Sequence, residues 1–152
     1  FSALASSARL TLAEEIQTPK QLQVLADEDQ LYRLLSNLVV NAISYTPENG
    51  KVSLRLSQDR HQAVIQVQDT GVGMSREELS RIFDRFYRIN KDRSRKSGGT
   101  GLGLAIAKAI AEEHHGSLEV ESIIGSGSIF TVRLPLKSNR KLAIKLKSWK
   151  RP

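Results

Sequence analysis

A chain of 152 residues, 39% hydrophobic and 26% charged, has the size and mixture of one globular domain with a buried core. It contains no cysteine, which excludes a disulfide framework and thiolate metal sites, and no apolar run of the roughly 18 residues a membrane helix needs. The net charge of +7 suggests nucleic acid only until it is located, because Lys137, Arg140, Lys141, Lys145, Lys147, Lys150 and Arg151 leave 16 cations against 16 acids before them.

Residues 137–152 are therefore read as a basic tail, solvated or in contact with a membrane surface or an acidic partner, and no nucleic-acid binding is expected. The first residues lack the basic n-region and small-residue cleavage site of a signal peptide, and the chain starts at Phe1 rather than Met, so a fragment of a longer chain is expected. Residues 1–7 look like the end of a preceding helix or linker. Ala8, Leu10, Leu12 and Ile16 alternate with polar residues as in a half-buried strand, and Leu22, Val24 and Ala26 repeat that pattern after Pro19. Asp27 or Asp29 caps a helix over 28–45, whose stripe is Leu31, Leu34, Leu35, Leu38 and Ala42.

Beyond Pro47 and the Glu48-Asn49-Gly50 turn, strands are expected around Val52–Leu56 and Ala63–Val67, with a turn near Asp59-Arg60. Ser75 and Glu78 form a capping-box pattern opening a short helix from Arg76 to about Asp84. Residues 86–101 are polar, basic and glycine-rich, too long for an ordinary connector. A helix from Leu102 to His115 follows, ended by Gly116, and then a hairpin turning at Gly125-Ser126-Gly127 and stopped by Pro135. Helices and strands are mixed without βαβ alternation. The expected fold is α+β, a two-layer sandwich whose mixed, mostly antiparallel sheet is covered by helices on one face.

Asn37 and Asn41 lie one helical turn apart at the edge of the apolar stripe. Their amides either bond backbone in a packed seam or give neutral oxygens to a Mg²⁺ that keeps waters and phosphate oxygens. Asp69 shares the inward parity of Ile65 and Val67, and a buried carboxylate needs a partner such as the amino group of adenine. Gly71 and Gly73 follow it and let backbone come close to a ligand. Gly99, Gly101 and Gly103 lead into a helix N-terminus whose free amides favour a phosphate, unless the run is only a hinge. Among the cations of 85–96 most are read as solvated, with one or two reaching phosphate. His61, His114 and His115 have no metal-ligand pattern and are read as structural or exposed, a cation being favoured where the latter two close their helix.

Taken jointly, these pieces resemble the catalytic ATP-binding domain of sensor histidine kinases, within the GHKL ATPase group. The matching motifs are Asn37-Leu38-Val39-Val40-Asn41-Ala42-Ile43-Ser44-Tyr45-Thr46-Pro47, Asp69-Thr70-Gly71-Val72-Gly73, and Ile82-Phe83-Asp84-Arg85-Phe86-Tyr87-Arg88. Gly99-Thr100-Gly101-Leu102-Gly103-Leu104 and Gly125-Ser126-Gly127-Ser128 before Phe130-Thr131 complete the set in order, over residues 8–136. The resemblance implies that Asn41 holds Mg²⁺ with Asn37 beside the phosphates, that Tyr45 packs by the nucleotide and that Asp69 bonds the adenine amino group. It implies Gly71 and Gly73 as shapers of the base pocket and Arg88 and Arg93 as phosphate cations on an ATP lid at 86–101. It adds Gly101, Leu102 and Gly103 as phosphate amides, and Gly99, Thr100 and Thr131 to the nucleotide-binding set.

Two departures from the family pattern stand out. Ser44 occupies the place of a phosphate-contacting Lys, and His115-Gly116-Ser117 that of His-Gly-Gly. In hydrolysing members a Glu sits where this chain has Asn37, which cannot act as a general base. The resemblance thus implies that ATP and Mg²⁺ are held for γ-phosphoryl transfer to a histidine on a separate dimerisation domain, with a response regulator downstream. It further implies a cytoplasmic domain, monomeric alone, of a homodimeric parent, and leaves open whether that parent is membrane-anchored. The alternatives are a GHKL-type ATPase and a non-catalytic nucleotide-binding module.

Overall fold

The computed structural model describes residues 1–18, 21–89 and 100–137. In chain order these form helix α1 (Ser2–Ser7), strand β1 (Thr11–Ile16), helix α2 (Glu28–Tyr45), strands β2 (Lys51–Asp59) and β3 (Gln62–Asp69), helix α3 (Arg76–Arg81), helix α4 (Gly103–Glu113), and strands β4 (Ser117–Ile123) and β5 (Gly127–Pro135). Helix α2 begins where Asp27 Oδ1 accepts the Gln30 amide proton at 2.9 Å, and Glu28 and Asp29 set negative charge at the positive end of its dipole. It stops as the chain turns extended at Thr46 before Pro47, and the Thr46 hydroxyl donates to the Ala42 carbonyl one turn back at 2.7 Å.

The five strands lie in the order β1-β2-β3-β5-β4, with β1 parallel to β2 and every other pair antiparallel. A parallel pair needs a long crossover, and α2 supplies it. The chain therefore does hold one βαβ unit, which the lack of regular alternation had hidden. Val52, Val67, Phe130, Val132 and Leu134 of the sheet meet Leu34, Leu38, Val39 and Ala42 of α2 and Ala107 and Ala111 of α4 in one core. The opposite sheet face is polar. Glu15, Arg55, Gln66, Thr131 and Glu119 form one row in register across all five strands, with Arg55 Nε 3.1 Å from Glu15.

Some expected elements differ. Ala8 and Leu10 precede β1 rather than starting it, because Arg9 takes a left-handed φ of +55° and the Leu10 amide caps α1 on the Ala5 carbonyl. Ile16, expected half-buried, is 73% exposed on the edge strand. Leu22–Ala26 makes no strand, only a Val24–Leu136 bridge, since its neighbours offer no longer edge to pair with. The helix expected to reach about Asp84 ends at Arg81. Helix α1 joins the core through Ala5, and among the described residues no helix is long and apolar enough to cross a membrane.

Candidate functional site

The site forms where the two central strands part. In the β3–β5 register Asp69 stands opposite Ser128, and β3 ends there. Alternation along β3 turns Asp69 to the core side with Ala63 and Val67, leaving it 4% exposed. Its Oδ1 accepts from the Gly71 amide at 2.8 Å and the Ser128 amide at 3.3 Å. Both bonds use the same oxygen, and among the described residues no donor reaches the other. Burial raises the carboxyl above its ordinary 3.8, and the two amides pull it back down.

The chain after Asp69 is held tightly by protein. A Cβ at Gly71 would sit 2.5 Å from the Tyr45 carbonyl oxygen and 2.7 Å from Asp69 Oδ1, so only glycine lets this loop pack on the end of α2. That close approach serves the loop itself, whereas the expectation had it serve a ligand. Gly73 does line the pocket, together with Val72, Met74, Ile82 and Ile89 as an apolar wall and Asn41, Tyr45, Asp69 and Ser128 as polar groups. An apolar slot with a few convergent polar groups suits a flat heterocycle.

Helix α2 brings Asn41 and Tyr45 to this pocket one turn apart. Asn37 sits a turn earlier and faces α4: its Oδ1 is 3.4 Å from where a Gly103 Cβ would stand, and its Nδ2 is buried with no partner among the described residues. The seam it occupies is thus helix against helix. Ser44 turns outward and its hydroxyl donates to the Val40 carbonyl at 2.8 Å. Burial raises the Tyr45 phenol, and the nearby positive Arg88 opposes the shift. Arg88 itself buries Nε and one terminal nitrogen without a partner among the described residues. An unpaired buried guanidinium is costly unless an anion completes it.

The second glycine segment joins at both ends. The Phe86 amide donates to the Gly101 carbonyl at 2.9 Å, and Phe86 and Gly101 take φ of +65° and +72°. Phe86 and Gly101 are therefore tied to each other, two residues before Gly103 and its contact with Asn37. Thr100 adjoins that pairing, and Leu102 is the N-cap of α4 with no side-chain bond, so that among the described residues no side chain caps the first amides of the helix. Arg93 and Gly99 lie outside the described residues, as does most of the expected lid.

Among the described residues, Thr131 is an expected site residue that the fold sends to another face. Its parity puts it on the polar face of the sheet, where Oγ1 accepts from Gln66 Nε2 at 3.3 Å. Ser128, three residues earlier and of the Phe130 parity, reaches the pocket instead. Strand alternation was the signal that distinguishes the two. Met74, Ile82 and Ile89 were also missed as pocket residues, being ordinary apolar side chains in sequence. His114 is structural: its Nδ1 lies 2.8 Å from the Ile110 carbonyl oxygen while Nε2 accepts from the Asp27 amide at 3.0 Å, so the ring joins α4 to the start of α2. His61 and His115 are exposed, as expected.

Residues 26–138 match the family model described as histidine kinase-, DNA gyrase B-, and HSP90-like ATPase. The chain is 49% identical over 138 residues to the sensor histidine kinase RppB of Synechocystis, covering 91% of this chain and 30% of that one. It is 41% identical to WalK of Bacillus subtilis, over 80% of this chain and 20% of that protein. The catalytic domain of histidine kinase ThkA superposes with a TM-score of 0.76 at 29% identity, covering 89% of this chain and 86% of that one. Full-length ShkA, solved with AMPPNP, gives 0.78 at 29% identity over 92% of this chain and 28% of that one. The chain thus spans a third or less of the curated relatives it matches.

Proposed function

The chain belongs to the histidine kinase-, DNA gyrase B-, and HSP90-like ATPase family, and on that premise we propose that it holds Mg-ATP for transfer of the γ-phosphoryl group to a histidine. The observation that carries this reading is a set of polar groups left incomplete among the described residues: one oxygen of Asp69, Asn37 Nδ2, and Nε and one terminal nitrogen of Arg88. An acceptor at one end and donors at the other suit a ligand with an amino group at one end and anionic oxygens at the other. The apolar wall between them takes a base. The first amides of α4, which no side chain caps among the described residues, add donors on the phosphate side.

The residues present fit a magnesium ion. Asn41 brings a neutral amide to the pocket, and among the described residues no cluster of three or more His, Cys, Asp or Glu gathers to make an all-protein cage. An ion that takes one oxygen from the protein and the rest from phosphate and water is the magnesium pattern. When bound it neutralises phosphate charge. The chain's own residues do the remainder: Asp69 selects and orients the base, Tyr45 closes beside it, and Asn37 and Arg88 donate to phosphate oxygens. Arg93 and Gly99 are assigned to the same phosphates. Phosphoryl transfer asks for this positioning and charge neutralisation more than for a protein nucleophile.

Asn37 also separates transfer from hydrolysis. An amide cannot take a proton from water, so no base stands one turn before Asn41. The acceptor histidine belongs to a dimerisation domain of the parent, and the phosphate passes on to a response regulator. Titrating Mg-ATP into the wild type, Asn41→Ala and Asp69→Asn tests the site. Loss of about tenfold or more in both variants is expected, and wild-type affinity in both would overturn the assignment.

A further inference from the structure

Ser122 lies on β4 behind the pocket wall and has no part in the site described above. In the β4–β5 register it stands opposite Ser128. Its hydroxyl meets three groups: the Met74 amide at 2.8 Å, the Gly127 carbonyl oxygen at 2.9 Å and the Ser128 hydroxyl at 2.9 Å. A hydroxyl has one proton to give. The Met74 amide only donates and the Gly127 carbonyl only accepts, so the Ser122 proton goes to Gly127. The contact between the two serines is then a hydrogen bond only if Ser128 donates to Ser122. The reverse orientation sets the Ser122 and Gly127 oxygens against each other as two acceptors 2.9 Å apart.

We propose that Ser122 is a positioning residue that fixes the Ser128 hydroxyl as an acceptor towards the pocket and so sharpens selection for a base bearing an amino group. The proposal rests on the nucleotide reading above. With its proton directed at Ser122, Ser128 has only lone pairs left for the pocket it lines. Its amide meanwhile holds Asp69 Oδ1, which keeps the two side chains adjacent on one wall. That wall then offers two acceptors, the spare Asp69 oxygen and Ser128 Oγ. An exocyclic amino group brings two N–H donors to them. A carbonyl at the same ring position brings only lone pairs and is repelled. Ser122 also ties the Gly73-Met74 loop to the β4–β5 turn, so one hydroxyl sets both the polarity and the shape of this wall.

The test compares binding of ATP with binding of purine riboside triphosphate, which lacks only the 6-amino group. Both are titrated into the wild type, Ser122→Ala, Ser122→Thr and Ser128→Ala, with the melting temperature of each recorded. The wild type is expected to prefer ATP by about tenfold or more, and both Ala variants to lose roughly three- to tenfold of that preference. Ser122→Thr keeps a hydroxyl and is expected to keep the preference. A purely structural role would lower the melting temperature and weaken both ligands alike, leaving their ratio intact. Wild-type preference retained in the Ala variants overturns the proposal, and Ser128→Ala decides alone if Ser122→Ala does not fold. A wild type that binds ATP with no preference at all overturns the base-pocket reading, and this proposal with it.

Discussion

At the scale of single residues, Asp69 carries a cost in the empty fold because burial raises its carboxyl above the ordinary 3.8 despite two backbone amides. A folded-state value above the unfolded one means the fold prefers the proton. Its contribution to stability is therefore full below the unfolded value and is lost as pH rises through the raised one. Asp69→Asn retains Oδ1 for the Gly71 and Ser128 amides but carries no charge. In the absence of ligand it should melt no lower than the wild type at neutral pH, with any gain closing as the pH falls to about 4. Melts across that range check this, and a variant much less stable than the wild type at neutral pH would contradict it. The same substitution weakens ATP, so stability and function oppose each other at this position. That opposition was legible in sequence, since parity alone predicted an inward carboxylate. The proton pattern of Ser122 and Ser128 was not, because it depends on three contacts from distant segments.

At the scale of elements, α2 is the piece read most completely from sequence. Its cap, its apolar stripe and the proline beyond it all act within a few residues, and its limits fall at Glu28 and Tyr45 as expected. The capping box at Ser75 formed for the same reason. What sequence missed was non-local. The parallel β1–β2 pair and the single bridge at Val24 depend on which edges other segments leave open. Asp27 serves α2 twice, through its side chain on Gln30 and its amide on His114. Asp27→Ala removes the first of these. It should cost about 1 kcal/mol and lower the melting temperature by roughly 2–4 °C, while Asn37 and Asn41, about three and four turns along, keep Mg-ATP affinity near wild type. A large affinity loss at a small stability loss would show that the start of the helix, too, is coupled to the site.

At the scale of the whole molecule, the charge is unevenly placed: residues 137–152 hold seven cations and no acid, and the remainder balances 16 against 16. Removing residues 138–152 should leave Mg-ATP affinity unchanged and reduce any salt-dependent binding to anionic surfaces; an affinity loss would place the tail in the nucleotide site. The central claim is that this domain holds ATP for transfer. Its most direct test mixes the domain, ATP labelled at the γ-phosphate and Mg²⁺ with a separately prepared dimerisation domain bearing the acceptor histidine. The account predicts acid-labile label on that histidine and almost no free phosphate from the domain alone. Steady phosphate release by the isolated domain, with no label on the partner, would contradict it.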